Sequence, residues 1–429
     1  KNEGSNKSSI SFCGNVTVGT DVSLHELRQL YDIVVLAYGC ESDRKLSIPG
    51  EDALSSSSSH HHGGGVLSAR EFVAWYNGHP DFGHIGAVVE AALSRVNQQE
   101  QVHAVVIGHG NVALDCARIL AKGRPGLIDT DISDHALSVI GDGVHTTTVV
   151  GRRGHIQGAF TIKEVRELTK LDDASFLVLE DELDSGTTNA SLQELEGPTG
   201  RPKKRIDRLL RETAASISGA TEPKAKQVAL RFLLSPVRFE ASKEDPSILG
   251  AVVCERTKLE GEARQQQAVG MGEFVHLPAQ LALVSVGYKG VSMPGLEDWF
   301  DKRRGVVTNT HGKVSDSNDT LGGLYVSGWL KRGPSGIIGT NIADAKDTVA
   351  SIVKDLETLD ATKTTSLAAK SSSSLTDLLT ERQVKIVDWE AYQRINAVET
   401  ANVGRKRSTE QPRAKIPTRE ELLETAFES

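Results

Sequence analysis

The chain has 429 residues, of which 38% are hydrophobic and 25% charged, the composition of a globular protein with room for two or three domains. A formal net charge of −8 argues against a nucleic-acid partner. No apolar run approaches the roughly 20 residues that a membrane-spanning helix needs, so a soluble protein is predicted.

The cysteines show neither a CxxC motif nor the spacing of metal ligands. We interpret Cys13, Cys40, Cys116 and Cys254 as buried thiols in a reducing compartment, which argues against a flavoenzyme that works through its own disulfide. The histidines within the Ser/His/Gly-rich residues 55–65 could bind a metal, but a polar loop insertion of unknown role is favoured. No metal site is predicted.

The first half of the chain alternates apolar runs with amphipathic ones. DIVVLAYG, residues 32–39, predicts a buried strand. A helix is predicted from a Ser68 cap to Gly78. VHAVVIG, residues 102–108, predicts a second strand, and a helix follows from Asn111 to Gly123.

The second half continues this alternation and predicts an α/β fold with parallel sheets. The strand TTTVV precedes a helix over 161–171, and residues 185–225 are polar and basic. Strand-like runs follow at 227–236, 250–261, 281–288 and 323–328. We expect a long helix over 335–356, a Ser/Thr/Lys-rich linker at about 358–374, and then helices alternating with basic loops.

The segment GHGNVA, residues 108–113, fits the GxGxxA pattern of a dinucleotide-binding turn. Gly108 permits the tight turn, Gly110 lets the backbone approach a pyrophosphate, and Ala113 allows the helix to pack closely on the strand. The start of the following helix offers free N–H groups to phosphates. An ordinary tight turn is the alternative.

The next strand ends in an arginine pair, Arg152 and Arg153. An NAD site would place Asp or Glu at this position to bind the ribose hydroxyls, whereas two guanidinium groups suit a 2′-phosphate. NADP is therefore favoured over NAD, and a solvated arginine pair is the alternative. The spacing from the glycine turn exceeds the usual 20 or so residues, so the connection must hold an insertion.

Thr161 and Glu164 have the spacing of a capping box at a helix start, in which Glu164 bonds back to the Thr161 N–H. This role is purely structural. A functional role for Glu164, in contact with the nicotinamide end of the nucleotide, remains equally open.

A second glycine-rich turn, GWLKRGPSGIIG at residues 328–339, follows a buried strand and begins a long helix. The flat indole of Trp329 suits a flat isoalloxazine ring. Because hydride passes readily from nicotinamide to flavin, a flavin is the natural second redox group. The alternative is a helix cap with a core tryptophan.

Together these motifs resemble the adrenodoxin reductase family, the mitochondrial-type NADPH:ferredoxin oxidoreductases, nearly from end to end. The resemblance is carried by the blocks GNVTVGTDVSLHELR, LSIPGED, SAREFVAWYNG, GHGNVALDCARIL, VVGRRGHIQGAFTIKEVREL, SVGYK and LYVSGWLKRGPSGIIGTNIADA. It implies an α/β fold of two Rossmann-like, glutathione-reductase-type domains.

The family's N-terminal GxGPAG turn for FAD has no counterpart in this sequence. We therefore expect a fragment with a discontinuous, N-terminally truncated FAD domain. The expected divisions are a partial FAD-binding domain over 1–98, an NADP-binding domain over 99–288, and the C-terminal part of the FAD domain with a tail over 289–429.

The resemblance also implies roles for individual residues. Those expected to bind NADP are His109, Gly110, Asn111, Val112, Arg152, Arg153, Glu164 and Gly336. Those expected to bind FAD are Val22, Trp329, Gly336, Ile337 and Ile338. Asp115 and Glu164 are candidate catalytic residues, although Asp115 could equally be a solvent-facing helix residue. Those expected to dock an acidic ferredoxin are Arg201, Lys203, Lys204 and Arg205, for which a solvated basic face is the alternative.

The implied activity is electron transfer from NADPH through FAD to a ferredoxin- or adrenodoxin-type iron–sulfur protein. The implied protein is a mitochondrial monomer that can associate peripherally with a membrane. One rival is a flavoenzyme of the glutamate synthase small-subunit type, whose Cys-rich iron–sulfur motifs are absent here. The other is a non-catalytic fragment that binds NADP alone.

Overall fold

The structure is a computed structural model that describes residues 10–55, 64–94, 101–198, 200–217, 224–314, 323–336, 338–362, 373–401 and 408–428. The three histidines at 60–62 lie outside these residues. Across the described ranges no helix is both long and apolar enough to cross a bilayer. The same ranges hold no cluster of three or more His, Cys, Asp or Glu side chains that could bind a metal.

The secondary-structure elements are numbered in chain order over the described residues. The helices are α1 (Leu24–Leu30), α2 (Ala69–Tyr76), α3 (Ile85–Ser94), α4 (Asn111–Leu127), α5 (Asp134–Ile140), α6 (Ile162–Thr169), α7 (Glu180–Ser185), α8 (Asn189–Glu196), α9 (Gly200–Ile217), α10 (Trp329–Arg332), α11 (Ile338–Thr362), α12 (Ser373–Glu381), α13 (Trp389–Ala401) and α14 (Arg419–Phe427). The strands are β1 (Ile33–Leu36), β2 (Ser42–Asp43), β3 (Val66–Ser68), β4 (His103–Ile107), β5 (Thr146–Val150), β6 (Ala174–Val178), β7 (Lys226–Arg231), β8 (Leu234–Ala241), β9 (Leu249–Glu260), β10 (Gln267–Pro278), β11 (Leu281–Val284), β12 (Tyr288–Lys289), β13 (Phe300–Asp301), β14 (Val306–Val307) and β15 (Gly323–Val326).

The chain divides into two compact units, each built from separate segments. The first unit contains residues 1–44, 287–396 and 425–429, and the second contains 45–286 and 397–424. The NADP-binding domain predicted over 99–288 falls largely within the second unit. That unit also takes up residues 45–98, because β3 pairs with β11 and α2 packs against α4.

The second unit is organised around a parallel sheet with the strand order β3-β11-β4-β5-β7-β6 among the described residues. Every pairing in this sheet is parallel. A three-stranded antiparallel sheet, in the order β10-β9-β8, belongs to the same unit. This confirms the predicted α/β fold with Rossmann-like parallel cores.

Strand β4 shows why its sequence is apolar without alternation. Ala104 and Val106 belong to a core cluster shared with α2, α4 and α6, whereas Val105 and Ile107 belong to a second cluster shared with β8 and β9. Helices thus cover one face of the parallel sheet and the antiparallel sheet covers the other. A strand buried on both faces needs apolar side chains at every position.

The first unit contains a short parallel pair, β1 and β15, in which Ile33 lies opposite Gly323 and Leu36 opposite Val326. These are the strands predicted at 32–39 and 323–328. Their buried side chains form a core with the adjacent helices and loops, consisting of Leu24, Leu36, Leu296, Val307, Val314, Leu324, Val326 and Leu330. This unit is discontinuous, since its segments lie on both sides of the second unit in the chain.

Two helix ends follow the sequence closely. Ser68 caps α2, as predicted, and it forms a complete capping box with Glu71. In α4 the backbone leaves helical conformation at Gly123 (φ 58°, ψ −167°), where the sequence predicted its end, and a further helical turn continues to Leu127. The insertion expected before β5 contains α5, whose Ala136, Leu137 and Ile140 are buried.

Other expectations were wrong in detail. No helix was predicted in the polar residues 185–225, which contain α8 and α9, and α11 continues to Thr362, into the linker predicted at about 358–374. Strand β10 was not predicted, since its side chains are mostly exposed and carry little apolar signal. Cys116 and Cys254 are buried, but Cys13 is exposed and Cys40 only half-buried, so not all four thiols are in the core.

Candidate functional site

The glycine turn between β4 and α4 depends on glycine for two different reasons. Gly108 has a φ of 133°, and a Cβ at this position would lie 2.1 Å from the Ser285 carbonyl oxygen. Gly110 has extended backbone, and a Cβ there would meet no atom within 4 Å. Ala113 is fully buried at the helix–sheet contact. The backbone is therefore closely packed at Gly108 and borders open space at Gly110, as expected for a phosphate site.

The N-terminus of α4 carries backbone donors that the helix itself does not use. Gly110 is the N-cap and has no side chain to cap the helix. The Leu114 N–H bonds to the Gly110 carbonyl at 3.3 Å, so the amides of residues 111–113 precede the first helical hydrogen bond. Such a helix start fits a phosphate, because it combines unpaired N–H groups with the positive end of the helix dipole.

His109 has its ring turned into the protein. The imidazole packs edge-on against Phe232 and Phe160, with ring centroids 4.9 and 5.9 Å away. Its Nε2 is buried and has no hydrogen-bond partner among the described residues. Burial lowers the pKa of His109 to about 3, so the ring is neutral at physiological pH. A Cβ on Gly151 would lie 2.3 Å from the His109 ring, which explains the glycine there.

The arginine pair lies beside this turn because β5 is the immediate neighbour of β4. Ile107 is opposite Val150 in the parallel register, and the Gly108 N–H bonds to the Val150 carbonyl at 2.8 Å. Arg152 and Arg153 follow β5 and are exposed. Neither guanidinium forms an ion pair within the described part of the chain, so both are available to an anion.

The backbone of the arginine pair is fixed. Thr257 Oγ1 donates to the Arg152 carbonyl at 2.7 Å, and the Leu233 N–H donates to the Arg153 carbonyl at 3.3 Å. Both carbonyls are thus held by the antiparallel sheet and the connection leading into it. The side chains project from a rigid segment, which suits selective recognition of a ligand.

The capping box predicted at Thr161 and Glu164 is wrong. Thr161 makes no side-chain capping bond, and its N–H donates instead to Asn111 Oδ1 at 2.8 Å. Asn111, at the start of α4, has therefore replaced Glu164 as the acceptor. The half-buried Glu164 carboxylate is released from the structural role.

Asp115 lies one turn along α4 and interacts electrostatically with Glu164. Burial raises the pKa of Asp115 and the nearby Glu164 raises it further, while Arg118 opposes both effects. Arg118 donates to Asp115 Oδ1 at 2.6 Å. Asp115 is therefore a half-buried, paired carboxylate rather than a freely solvated helix residue, and the fold brings the two candidate acids together.

The second turn lies in the first unit. Trp329 begins α10, is half-buried, and stacks on Tyr288 with ring centroids 5.6 Å apart and planes 23° apart. Gly336 has a φ of 83°, and a Cβ there would lie 2.4 Å from Thr340 Oγ1. Helix α11 begins at Ile338, whose side chain lies outside the described part, as does Ile337. A Cβ on Gly339 would meet open space.

An acid that the sequence interpretation missed holds this turn together. Asp344, in α11, accepts hydrogen bonds from Ser327 Oγ and the Gly328 N–H. Lys331 Nζ lies 3.5 Å from Asp344 Oδ1, and the side chains of Lys331 and Asp344 are only 9% and 7% exposed. The only sequence signal was an acid soon after a basic pair and a glycine-rich turn, a pattern too common to single out.

Val22 occupies a different part of the first unit. The residue as a whole is 1% exposed, and its carbonyl accepts from the Gly19 N–H at 2.7 Å. Neither the backbone nor the isopropyl group of Val22 is therefore open to solvent, and its expected contact with the adenine of FAD stays a prediction.

The predicted docking residues lie on the first turns of α9. Arg201, Lys204 and Arg205 are exposed. Lys203 differs, because its ammonium pairs with the buried Glu194 carboxylate at 2.7 Å. Basic side chains near a helix N-terminus oppose the helix dipole, so this cluster does not help to stabilise α9.

Comparison with known proteins identifies close relatives, although no protein-family model matches the chain. An NADPH:adrenodoxin oxidoreductase, mitochondrial, from Arabidopsis thaliana is 40% identical over 424 residues, which cover 97% of this chain and 81% of the relative. The NADPH-ferredoxin reductase FprA of Mycobacterium tuberculosis is 37% identical over 415 residues, covering 96% of this chain and 82% of that protein. The solved structure of M. tuberculosis FprA in complex with NADPH superimposes with a TM-score of 0.81 at 36% identity, over 97% of this chain and 83% of that one.

Proposed function

The chain belongs to the adrenodoxin reductase family of NADPH:ferredoxin oxidoreductases, and we propose that its two glycine-rich turns hold the two cofactors of that reaction. Like its relatives, it is an FAD-dependent oxidoreductase that passes electrons from NADPH to a ferredoxin- or adrenodoxin-type iron–sulfur protein. The rival functions, a glutamate synthase small-subunit type of flavoenzyme and a non-catalytic NADP-binding fragment, are not favoured by these relatives.

The NADP site is proposed at the carboxyl ends of β4 and β5. The amides at the start of α4 bind the pyrophosphate above Gly110, with Asn111 and Val112 contributing through their backbones. His109 also contributes through its backbone, because its ring is turned away. The strongest support is that an open helix N-terminus and two unpaired arginines follow adjacent parallel strands.

Arg152 and Arg153 are proposed to bind the 2′-phosphate and so to select NADPH over NADH. Two exposed guanidinium groups on a fixed backbone can each donate charge-assisted hydrogen bonds to a phosphate. Glu164 is proposed at the nicotinamide end of the nucleotide, since Asn111 has taken over the structural role that Glu164 would otherwise have. Asp115 is proposed as its polar neighbour.

The flavin site is proposed at the turn over residues 328–339. When bound, FAD accepts a hydride equivalent from NADPH and releases electrons singly to the iron–sulfur protein. Trp329 offers an aromatic face, and the positive φ of Gly336 brings the backbone close to the start of α11. The Asp344 interactions hold this turn in shape.

The exposed basic residues Arg201, Lys204 and Arg205 are proposed to dock an acidic iron–sulfur protein. Their position at the unfavourable end of α9 is understandable if they serve a partner rather than the helix. Such a surface would accelerate association, and the association rate would fall with ionic strength. Lys203 is left out, since its ion pair with Glu194 occupies it.

The test is NADPH-dependent reduction of a [2Fe–2S] ferredoxin by the purified, FAD-supplemented protein, together with NADH as a control donor. The protein should show a flavin absorbance band and should prefer NADPH. Replacing both Arg152 and Arg153 with alanine should remove that preference while leaving NADH-dependent activity unchanged. An unaltered preference in this variant would show that the 2′-phosphate binds elsewhere.

A mitochondrial location, a monomeric state and peripheral membrane association are proposed from the resemblance alone. The relatives named above include a mitochondrial protein and a bacterial one, so they favour no single compartment. Subcellular fractionation, sedimentation velocity and vesicle flotation would test the three proposals separately.

A further inference from the structure

The turn that follows the arginine pair is tied to α9 by a buried side chain. Gly154 leads into a single 3₁₀ turn, His155–Gln157. The His155 side chain is fully buried, and its Nε2 lies 2.8 Å from Asp207 Oδ1 in α9. His155 is only two residues from Arg153. Helix α9 thus holds the segment that presents the two guanidinium groups.

Asp207 fixes the orientation of the His155 ring. The other ring nitrogen, Nδ1, is buried and has no hydrogen-bond partner among the described residues. The ring otherwise packs edge-on against Phe232, with centroids 5.7 Å apart. Because Asp207 supplies the ring's polar contact through a charged carboxylate oxygen, a neutral amide at this position would weaken the hydrogen bond to the buried imidazole.

Asp207 is itself held in place. Arg211 Nε donates to the same Asp207 Oδ1 at 3.0 Å, one helical turn along α9. The hydrogen bond with His155, together with the positive charges around the carboxylate, lowers the pKa of Asp207. The carboxylate is therefore ionised and oriented at neutral pH.

A second connection joins the same two elements. Gln157 Nε2 donates to Glu194 Oε1 at 3.4 Å, and Glu194 Oε2 accepts from Lys203 of α9 at 2.7 Å. Glu194 is 3% exposed. The turn after the arginine pair is thus anchored to α9 at both of its ends, directly through His155 and indirectly through Gln157.

We propose that His155 and Asp207 are positioning residues for 2′-phosphate recognition, which determine the NADPH preference without touching the nucleotide. This inference rests on the proposed role of Arg152 and Arg153. Selective binding requires the two guanidinium groups to stay within a fraction of an ångström of the phosphate geometry. Releasing His155 frees the turn beside them and relaxes that geometry.

The experiment measures dissociation constants by calorimetry for 2′-AMP, NADP⁺ and NAD⁺, so that no flavin or ferredoxin is involved. Asp207→Asn and His155→Gln should each weaken 2′-AMP and NADP⁺ binding about tenfold and leave NAD⁺ binding unchanged, since misplacement of a binding group has effects of this order or larger. Glu212→Gln is the matched control: Glu212 is also an α9 acid paired with an arginine four residues away, but it lies on the exposed face and should change nothing.

The outcomes separate this inference from the function on which it rests. If Arg153→Ala leaves 2′-AMP binding unchanged, the proposed 2′-phosphate site is wrong. If Arg153→Ala weakens it but Asp207→Asn and His155→Gln do not, the positioning role alone is refuted. Equal losses for NADP⁺ and NAD⁺ would indicate a merely structural role and would also refute it.

A double variant covers the case in which Asp207→Asn lowers stability. If Asp207 acts through the arginine, adding Asp207→Asn to Arg153→Ala should cause much less further loss of 2′-AMP affinity than it causes alone. Fully additive losses would overturn the inference. Asp207→Glu, which keeps the carboxylate, should restore part of the affinity.

Discussion

The substitution Gly110→Ala separates nucleotide binding from folding. A Cβ at this position meets no protein atom within 4 Å, and the φ of −109° is one that alanine adopts readily. Alanine is a poorer N-cap than glycine by up to about 1 kcal/mol. It also lowers the conformational entropy of the unfolded chain, which stabilises the folded protein by about 0.4–1 kcal/mol. We therefore expect the free energy of unfolding to change by less than about 1 kcal/mol.

Nucleotide affinity should respond differently, because the new methyl group points into the space proposed for the pyrophosphate. Losing one hydrogen bond to a charged group weakens binding by about 1.5–3 kcal/mol, which corresponds to roughly ten- to hundredfold in the dissociation constant. NADP⁺ binding should fall by this amount. Binding of 2′-AMP, which has no pyrophosphate, should not change. Calorimetry with both ligands measures the effect.

The matched control is Gly151→Ala, whose Cβ would lie 2.3 Å from the His109 ring. Overpacking of this kind destabilises by about 1–3 kcal/mol, so this variant should lower the free energy of unfolding. Chemical denaturation followed by circular dichroism distinguishes the two glycines. If Gly110→Ala leaves NADP⁺ affinity intact in a normally folded protein, the pyrophosphate does not bind at the start of α4.

Three further predictions concern other parts of the chain. Charge reversal at both Lys204 and Arg205 should raise the KM for ferredoxin about tenfold or more at low salt and flatten its salt dependence, with reduction of a small-molecule acceptor unchanged; an unchanged KM would place docking elsewhere. Lys331→Met should lower the free energy of unfolding by about 3 kcal/mol, because it removes a partner from a buried carboxylate of α11, and a loss below about 1 kcal/mol in denaturant would contradict this. Hydrogen bonds from Arg382 hold the pKa of Glu26 at about 2, below its ordinary 4.5, so its stabilising contribution is complete above pH 4.5 and is lost as the pH falls to about 2. Glu26→Gln should therefore be less stable than the parent protein above pH 4.5 and should converge with it towards pH 2; a constant difference across this range in pH-dependent melting curves would refute the assignment.

The sequence predicted those features whose cause is local. A strand that is buried on both faces of a parallel sheet is a continuous apolar run, and this pattern is visible in the sequence. For this reason β4, β11 and β15 were predicted from composition alone. The Ser68 capping box depends on residues within a few positions of one another, and the tight turn at Gly108 was recognised from the glycine pattern itself. Arg152 and Arg153 could be placed beside the glycine turn because neighbouring parallel strands end at the same edge.

Where local rules failed, a residue outside the local sequence pattern forms the hydrogen bond or ion pair. The capping box at Thr161 had a correct sequence pattern, but Asn111, fifty residues earlier, accepts the same N–H. Lys203 belongs to a basic run, yet its ammonium forms an ion pair with the buried Glu194 carboxylate. Strand β10 and the helices of residues 185–225 were missed because their side chains are largely polar, and their pairing with β9 or packing on the sheet stabilises them.

By itself, the sequence determined the fold class, the two glycine-rich turns and the arginine pair proposed to bind a 2′-phosphate, since each follows from backbone freedom, apolar patterning or the charge of adjacent residues. Only the tertiary structure decided which polar groups are already paired and which remain available to a ligand. It assigned Asn111 to Thr161, Asp344 to the second turn and Asp207 to His155. A buried polar group must pair with whichever partner the fold brings close to it, and the identity of that partner cannot be predicted from the spacing of residues along the chain.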